Sequence, residues 1–484
     1  MKKTLAYTLS LLFLAPVLLG AQSGAGPLAS DPRVATVLEV IELWMDAQVD
    51  YEDIPGVSMG IVYDQDLIWS KGFGYSHVET NIPAAPNTIY SICSISKLFT
   101  SIGLMQLRDE GLLRLDDPIA DHLPWFTIQD SHPETGAIDL QGVLTHSAGL
   151  PRESDHPYWT GPEYPFPTSE QIIDRISDQE ELYPADTYYQ YSNLGLTLAG
   201  EVVAAISGQP YAEYVQEHIL DPLGLDSTSP EIPENHRGER LATPYSTPGR
   251  DGKRTAIDFY QVRGIAPAAG YASTVEDLGR FASWQFGLLE EGGAKVLHAT
   301  TLREMQRVHF VGEDFQAYRG IGFSVSRRDG TTYVGHGGSC PGYRTNLSMS
   351  NEDKIAVVFM TNGGEVSPGA YTSRIFDLVT PAINEALENP GGAKQPSQEL
   401  EKYKGRYDRP LGGETHVLIK DGKLATVSFP TMNPQLTMYE HVGEHTFRRI
   451  RDDGELAEAT TFEIGSDGEV TRMVRNTNYS IRVR

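Results

Sequence analysis

A serine and a lysine stand three residues apart where an amphipathic helix begins, in Tyr90-Ser-Ile-Cys-Ser94-Ile-Ser-Lys97. Apolar residues follow at Ile95, Leu98, Phe99, Ile102, Met105 and Leu107, close to a 3.6-residue period, and Gly111 supplies a stop. This spacing puts Ser94 and Lys97 on one helix face, so hydroxyl and amine can converge. A serine hydroxyl is a poor nucleophile at neutral pH and needs a neighbouring base. A lysine neutralised by burial can be that base, and the free N–H groups of a helix start lie beside Ser94. Taken alone, the pair fits an exposed first turn capped by Ser94 at least as well.

Two further elements narrow the choice. Tyr191-Ser-Asn193 precedes the apolar run Leu194–Ile206, which reads as a loop entering a buried helix with Asn193 as its cap. Farther on, Tyr333-Val-Gly-His336-Gly-Gly338-Ser339-Cys340 places two glycines after a histidine. Small residues there let a strand edge lie close to a bound ligand, although a glycine-rich turn has the same composition.

In this order, Ser-x-x-Lys, Tyr-x-Asn and His-x-Gly resemble the motifs of the penicillin-recognising serine hydrolases. That family includes class C β-lactamases, D-alanyl-D-alanine carboxypeptidases, D-aminopeptidases and related esterases. Supporting phrases are Pro55-Gly-Val-Ser-Met-Gly-Ile-Val62, Leu144-Thr-His-Ser-Ala-Gly-Leu-Pro151 and Gly270-Tyr-Ala-Ser-Thr-Val-Glu-Asp-Leu278, and the similarity covers roughly residues 35–388. The resemblance implies roles. Ser94 is the acylated nucleophile. Lys97 and Tyr191 form the proton network, with Lys97 as the positive charge that would favour a Tyr191 phenolate. Asn193 binds Lys97 or the substrate amide. The Ser94 and Ser339 N–H groups form the oxyanion hole, and His336 and Gly338 line the substrate side.

The third motif departs from the lysine form of most β-lactamases and carboxypeptidases. Histidine is mostly neutral at pH 7, so the permanent cation near a substrate carboxylate is missing. Arg344 is a candidate replacement, or a surface salt bridge. Titration of His336 would make activity vary between about pH 5 and 8. The histidine form resembles the D-aminopeptidase and esterase branches. It directs the expectation to small D-amino-acid peptides or esters, cleaved at an amide or ester bond. A β-lactamase or D-alanyl-D-alanine carboxypeptidase is the alternative within the class. Outside it stands a binder that is acylated but not deacylated, or a scaffold that uses the fold for assembly.

Residues 1–21 read as an export signal: Lys2 and Lys3, an apolar run through Leu19, then Gly20 and Ala21. The run is short for a membrane span, and no later segment is apolar enough. A periplasmic or extracellular location follows. The formal charge is −26, and loss of residues 1–21 removes two lysines and no acids, leaving −28. Such a surface repels nucleic acid and anionic membranes, leaving a small-molecule or peptide substrate as the expected partner. There is no HExxH, no CxxC and no ligand-spaced histidine cluster, so neither metal nor cofactor is expected. His146 reads as structural.

The pattern also predicts architecture. Strand hairpins are expected at 56–75 and at Arg344–Ser350 with Ile355–Thr361, and helices at Val34–Val49 and Ile375–Leu387. Both ends of the domain 22–388 then pack on one antiparallel sheet, around a mainly helical insert at 95–310. The fold class is α+β, a β-lactamase-like sandwich whose cleft lies between sheet and insert. The aromatic loop 152–168 either rims that cleft or stabilises the surface. Residues 389–396, Asn-Pro-Gly-Gly-Ala-Lys-Gln-Pro, read as a linker that few contacts cross. Beyond it, 397–484 shows strand signals around His416–Val427, Thr446–Ile450, Thr460–Ile464 and Val470–Val474. With Tyr403-Lys-Gly-Arg-Tyr407, this tail resembles the lipocalin-like β-barrel of some family members.

The chain has two cysteines, Cys93 and Cys340. They flank the first and third motifs. Cysteines at these motif-relative positions pair in some class A carbapenem-hydrolysing β-lactamases, and export favours pairing. Two separate buried thiols are the alternative.

Overall fold

Successive side chains of a strand point to opposite faces, and a strand buried on both faces reads as an unbroken apolar run. Ile355–Thr361 is such a strand. Ile355, Val357 and Phe359 join one apolar cluster, and Ala356, Val358 and Met360 join another. It is an inner strand of the large sheet, fourth of nine among the described residues. The computed structural model describes residues 27–313, 315, 318–394 and 397–483, so the expected export signal lies outside the described residues.

Helix α1 spans Pro32–Tyr51, with Pro32 in its first turn and the Asp31 side chain accepting from Arg33 N at 3.0 Å. Strands β1 (Gly56–Tyr63) and β2 (Asp66–His77) form the first hairpin. Helices α2 (Ser96–Asp109), α3 (Asn193–Ser207) and α4 (Val275–Glu291) belong to the insert. Then come β3 (Ser324–Arg328), β4 (Thr331–Cys340), β5 (Tyr343–Ser350), β6 (Ile355–Thr361) and α5 (Pro368–Glu388). The sheet has nine strands among the described residues: Ile82–Pro83, β2, β1, β6, β5, β4, β3, Tyr318–Arg319 and Phe310–Val311. All neighbours are antiparallel, with Val57 opposite Thr361 and Gly338 opposite Thr345.

Helices α1 and α5 bury their apolar stripes on one face of the sheet, and the insert covers the other. The architecture is thus a β-lactamase-like α+β domain with helices flanking an antiparallel sheet. Helix α5 starts seven residues before the periodic run that marks it, because Pro368 sits in its first turn and needs no apolar signal. Among the described residues no helix is long and apolar enough to cross a membrane.

Eight strands between Gly405 and Val483 close into a barrel. Three of them, Gly405–Asp408, Thr437–Gly443 and Asn478–Val483, carry no alternating run long enough to read from sequence. Contacts between the barrel and the N-terminal domain are more extensive than the linker composition suggests. Leu418, Val427 and Phe429 share a cluster with Val34, Leu38, Ile41 and Trp44. Trp44 Nε1 donates to Thr431 O at 2.8 Å, and Arg374 Nη2 donates to Pro434 O at 2.8 Å. Linker composition describes the linker alone, whereas these contacts come from the outer face of the barrel and from α1 and α5.

Candidate active site

Ser94 lies in a single 3₁₀ turn, Cys93–Ile95, and α2 proper begins at Ser96. Cys93 has φ 51°, in the left-handed region, where a non-glycine residue costs roughly 1–3 kcal/mol and the surroundings must hold it. Here they do. Ser96 Oγ donates to the Cys93 carbonyl and accepts from Tyr271 N at 3.0 Å. Cys93 is disulfide-bonded to Cys340, with Cα atoms 5.8 Å apart. Thr345 Oγ1 donates to Ile92 O at 3.2 Å. A side chain at Gly338 would place its Cβ 2.2 Å from that same carbonyl. The glycine of the third motif therefore admits the backbone of the Ser94 turn, not only a ligand. With Gly338 on Ile92 and Cys340 bonded to Cys93, Ser339 stands beside the Ser94 turn.

Lys97 is fully buried. Its Nζ lies 3.3 Å from Ser94 Oγ, 2.7 Å from Asn193 Oδ1 and 2.8 Å from Ala268 O. Burial holds its pKa well below the usual lysine range. Glu153 pulls the other way and Arg152 adds to the depression. A neutral amine has two N–H donors and one lone pair. In that neutral form Asn193 and Ala268 take the two donors and leave the lone pair for the serine hydroxyl.

Asn193 is the first residue of α3, not its cap. Ser192 caps the helix, its hydroxyl accepting from Gly195 N at 2.8 Å. Relieved of capping, the Asn193 amide accepts from Lys97 and donates Nδ2 to Glu153 Oε1 at 2.6 Å.

The Tyr191 ring lies against Lys97, with Nζ 4.8 Å from the ring centroid. Burial pushes its phenol up to about 12, opposed by a hydrogen bond to Ser94 and by the charges of Arg152 and Arg319. Tyr191 is thus a neutral phenol at pH 7. The expectation that a charged Lys97 generates a phenolate is corrected, because the burial that lowers the lysine pKa also raises that of the phenol.

His336 is buried, and its Nδ1 donates to Gly337 O at 2.6 Å. Burial, with Lys97 and Arg319 nearby, lowers its pKa to about 3. It stays neutral between pH 5 and 8, so the expected titration there is overturned. His146 is buried against Tyr191, with ring centroids 4.4 Å apart, and accepts from Ser192 N at 3.1 Å. It orders the entry to α3.

Arg344 turns to the backbone, donating to Cys340 O at 2.8 Å and Tyr343 O at 2.9 Å. Arg319 is the cation whose field reaches His336, His146 and Tyr191. It donates to Ser324 Oγ and Tyr189 OH at 2.6 Å each, and its Nε is buried without a partner. Sequence reasoning missed Arg319 because it sits on a two-residue strand with no periodic signal. It also missed Glu153, two residues past the Leu144–Pro151 phrase. Glu153 is mostly buried, takes Trp159 Nε1 at 3.0 Å, and leaves Oε2 without a partner. In the aromatic loop, Tyr158 and Phe166 are core residues while Trp159 stays half-exposed beside Glu153.

Comparison with known proteins agrees with this fold. The Beta-lactamase family profile matches residues 41–378, and a domain of unknown function, DUF3471, matches 389–483. Beta-lactamase-like protein 2 of Dictyostelium discoideum is 24% identical over 405 residues, covering 81% of this chain and 72% of that protein. The octameric penicillin-binding protein homologue from Pyrococcus abyssi superposes with a TM-score of 0.62 at 23% identity, covering 92% of this chain and all of that one. The D-amino acid amidase from Ochrobactrum anthropi gives 0.59 at 23% identity, over 73% of this chain and 99% of that one. The chain belongs to the beta-lactamase family.

Proposed function

We propose that the protein is an exported serine hydrolase that cleaves an amide or ester through an acyl-Ser94 intermediate, acting on small D-amino-acid peptides or esters. The observation that carries this reading is the buried Lys97 amine, its Nζ 3.3 Å from Ser94 Oγ and its other contacts on Asn193 Oδ1 and Ala268 O, an arrangement that leaves the lone pair of the neutral amine for the serine hydroxyl. Lys97 takes the hydroxyl proton as Ser94 Oγ attacks the carbonyl carbon. The Ser94 and Ser339 N–H groups receive the developing oxyanion. Tyr191, hydrogen-bonded to Ser94, passes its proton to the leaving nitrogen or oxygen and regains one from the protonated Lys97, and water then releases the acid from Ser94. Export rests on the charged and apolar pattern of residues 1–21. The choice of substrate rests on a neutral histidine in the third motif.

A carboxypeptidase or β-lactamase reading is favoured by one observation, the Arg319 guanidinium, which lacks a carboxylate partner among the described residues and whose field reaches the site. A panel of D-amino-acid amides, p-nitrophenyl esters and a chromogenic cephalosporin decides between them. Labelling of Ser94 by an activity probe, followed by the rate of label loss, separates an enzyme from a binder that keeps its acyl group. Turnover of amides or esters above the cephalosporin is the expected result. Absence of Ser94 labelling would remove the hydrolase reading.

A further inference from the structure

The interior of the C-terminal barrel changes character along its axis. Val417, Leu424, Phe447, Phe462 and Met473 belong to an apolar plug. Residues two apart in a strand share a face, so Thr415 and Thr426 are the next interior positions of the strands that carry Val417 and Leu424. Ser428 follows Thr426 on the same face. An eight-stranded barrel is just wide enough to be filled by side chains or to hold one small ligand. These hydroxyl side chains are too short to fill it, and a cavity of about 500 Å³ remains. That is within the range of small-molecule sites, about 300–1,000 Å³. Thr415 and Thr426, only 6% and 7% exposed, form its floor, and Ser428, Arg409 and Arg475 stand exposed at its rim.

Charge is concentrated at the same place. Arg409, Arg449 and Arg475 line the cavity with a single acid, Glu458. Arg449 lies 3.6 Å from Glu458. Arg475 donates Nε to Thr460 Oγ1 at 3.2 Å and Nη2 to the Tyr439 hydroxyl, both neutral acceptors. Arg409 donates to the Phe429 carbonyl at 3.2 Å. Neither Arg409 nor Arg475 has a salt-bridge partner among the described residues. Three guanidinium groups thus share one carboxylate at this cavity, Glu458 feeling the charge of both Arg449 and Arg475, in a chain of formal charge −26. A guanidinium fork matches a carboxylate with two parallel charge-assisted bonds.

We propose that this cavity binds a small organic carboxylate, its charge held by Arg409 and Arg475 and its polar body by the hydroxyls of Thr415, Thr426 and Ser428. The site is separate from Ser94. The barrel packs on α1 and α5, whereas α2 lies on the opposite face of the sheet.

Calorimetric titration of the full chain with N-acetylglycylglycine and with its C-terminal amide tests the proposal. The acid is expected to bind one-to-one, and the amide at least about 10-fold more weakly, the scale of one charge-assisted hydrogen bond. The double variant Arg409→Gln/Arg475→Gln and the cavity-filling variant Ser428→Leu should each weaken acid binding by about 10-fold or more. Hydrolysis at Ser94 should be unchanged in both, and thermal unfolding shows that each is folded. If one variant does not fold, the other decides, and the acid–amide comparison uses the unaltered protein. No binding heat up to about 10 mM acid, equal binding of acid and amide, or binding indifferent to a folded cavity variant would overturn the assignment. None of these outcomes depends on whether Ser94 is acylated.

Discussion

Lys97 Nζ lies 3.3 Å from Ser94 Oγ, and the other directions open to that amine are taken by Asn193 Oδ1 and the Ala268 carbonyl. The contact is productive only while Lys97 is neutral, and burial keeps its pKa well below the lysine range. Ser94→Ala should abolish turnover and covalent labelling with the fold intact. Lys97→Ala and Tyr191→Phe should each lower kcat by about two orders of magnitude or more, the scale of proton-transfer groups. Full labelling of Ser94→Ala at the wild-type rate would refute the assignment.

The same depressed pKa has a consequence for stability. The unfolded chain protonates Lys97 at its ordinary value, about 10.4, while the folded chain does so only at lower pH. Between those two values the unfolded state binds more protons, so stability falls as pH falls. Lys97→Met removes that penalty. Its melting temperature should exceed that of the wild type at pH 7, and the gap should narrow toward pH 11. A gap that does not depend on pH would show that Lys97 carries no such linkage.

Glu153 accepts from the Asn193 amide and its charge raises the Lys97 pKa. In Glu153→Gln the amide oxygen still accepts that bond, but the charge is gone. The acidic limb of kcat/KM, where Lys97 gains its proton, should therefore move to lower pH. A limb that stays in place would assign Glu153 to packing alone.

His336 remains neutral above about pH 3. His336→Asn should leave the shape of the pH–rate profile between pH 5 and 8 unchanged. His336→Lys should gain activity on a cephalosporin relative to an uncharged ester, because it adds a cation on the substrate side. If the asparagine variant loses an inflection in that interval, the histidine titrates there after all.

The Cys93–Cys340 bond joins the nucleophile turn to β4. Thiol counting under denaturing, non-reducing conditions should find no free thiol in protein from an oxidising compartment. Cys340→Ser should lose at most about 5 kcal/mol of stability. Its effect on kcat should be larger than its effect on KM, because the bond orders the Ser94 and Ser339 N–H groups that serve the transition state.

Phe429 is fully buried between barrel and hydrolase domain. Phe429→Ala should cost about 3–5 kcal/mol, as large-to-small core substitutions do. Removal of 397–484 should leave the apolar outer stripe of α1 exposed, and the shortened chain should aggregate. A soluble, monomeric truncation with wild-type melting would show that the interface contributes little.

The sequence by itself marked the candidate site of this protein and most of its scaffold. Ser94, Lys97, Tyr191 and Asn193 are legible because local helix geometry and motif order need no knowledge of distant contacts. The strands and helices with strong apolar periodicity are legible for the same reason. Tertiary structure decided what depends on burial and on groups far apart in the chain. Whether Lys97 is charged, whether Tyr191 is a phenol and whether His336 titrates follow from desolvation, which no local pattern encodes. Arg319 and Glu153 enter the site from short or irregular segments, where propensity is silent and only packing places the side chain. The barrel's hold on α1 was likewise invisible. A linker's composition reports its own solvation, while the apolar faces that meet across it become partners only once both domains have folded.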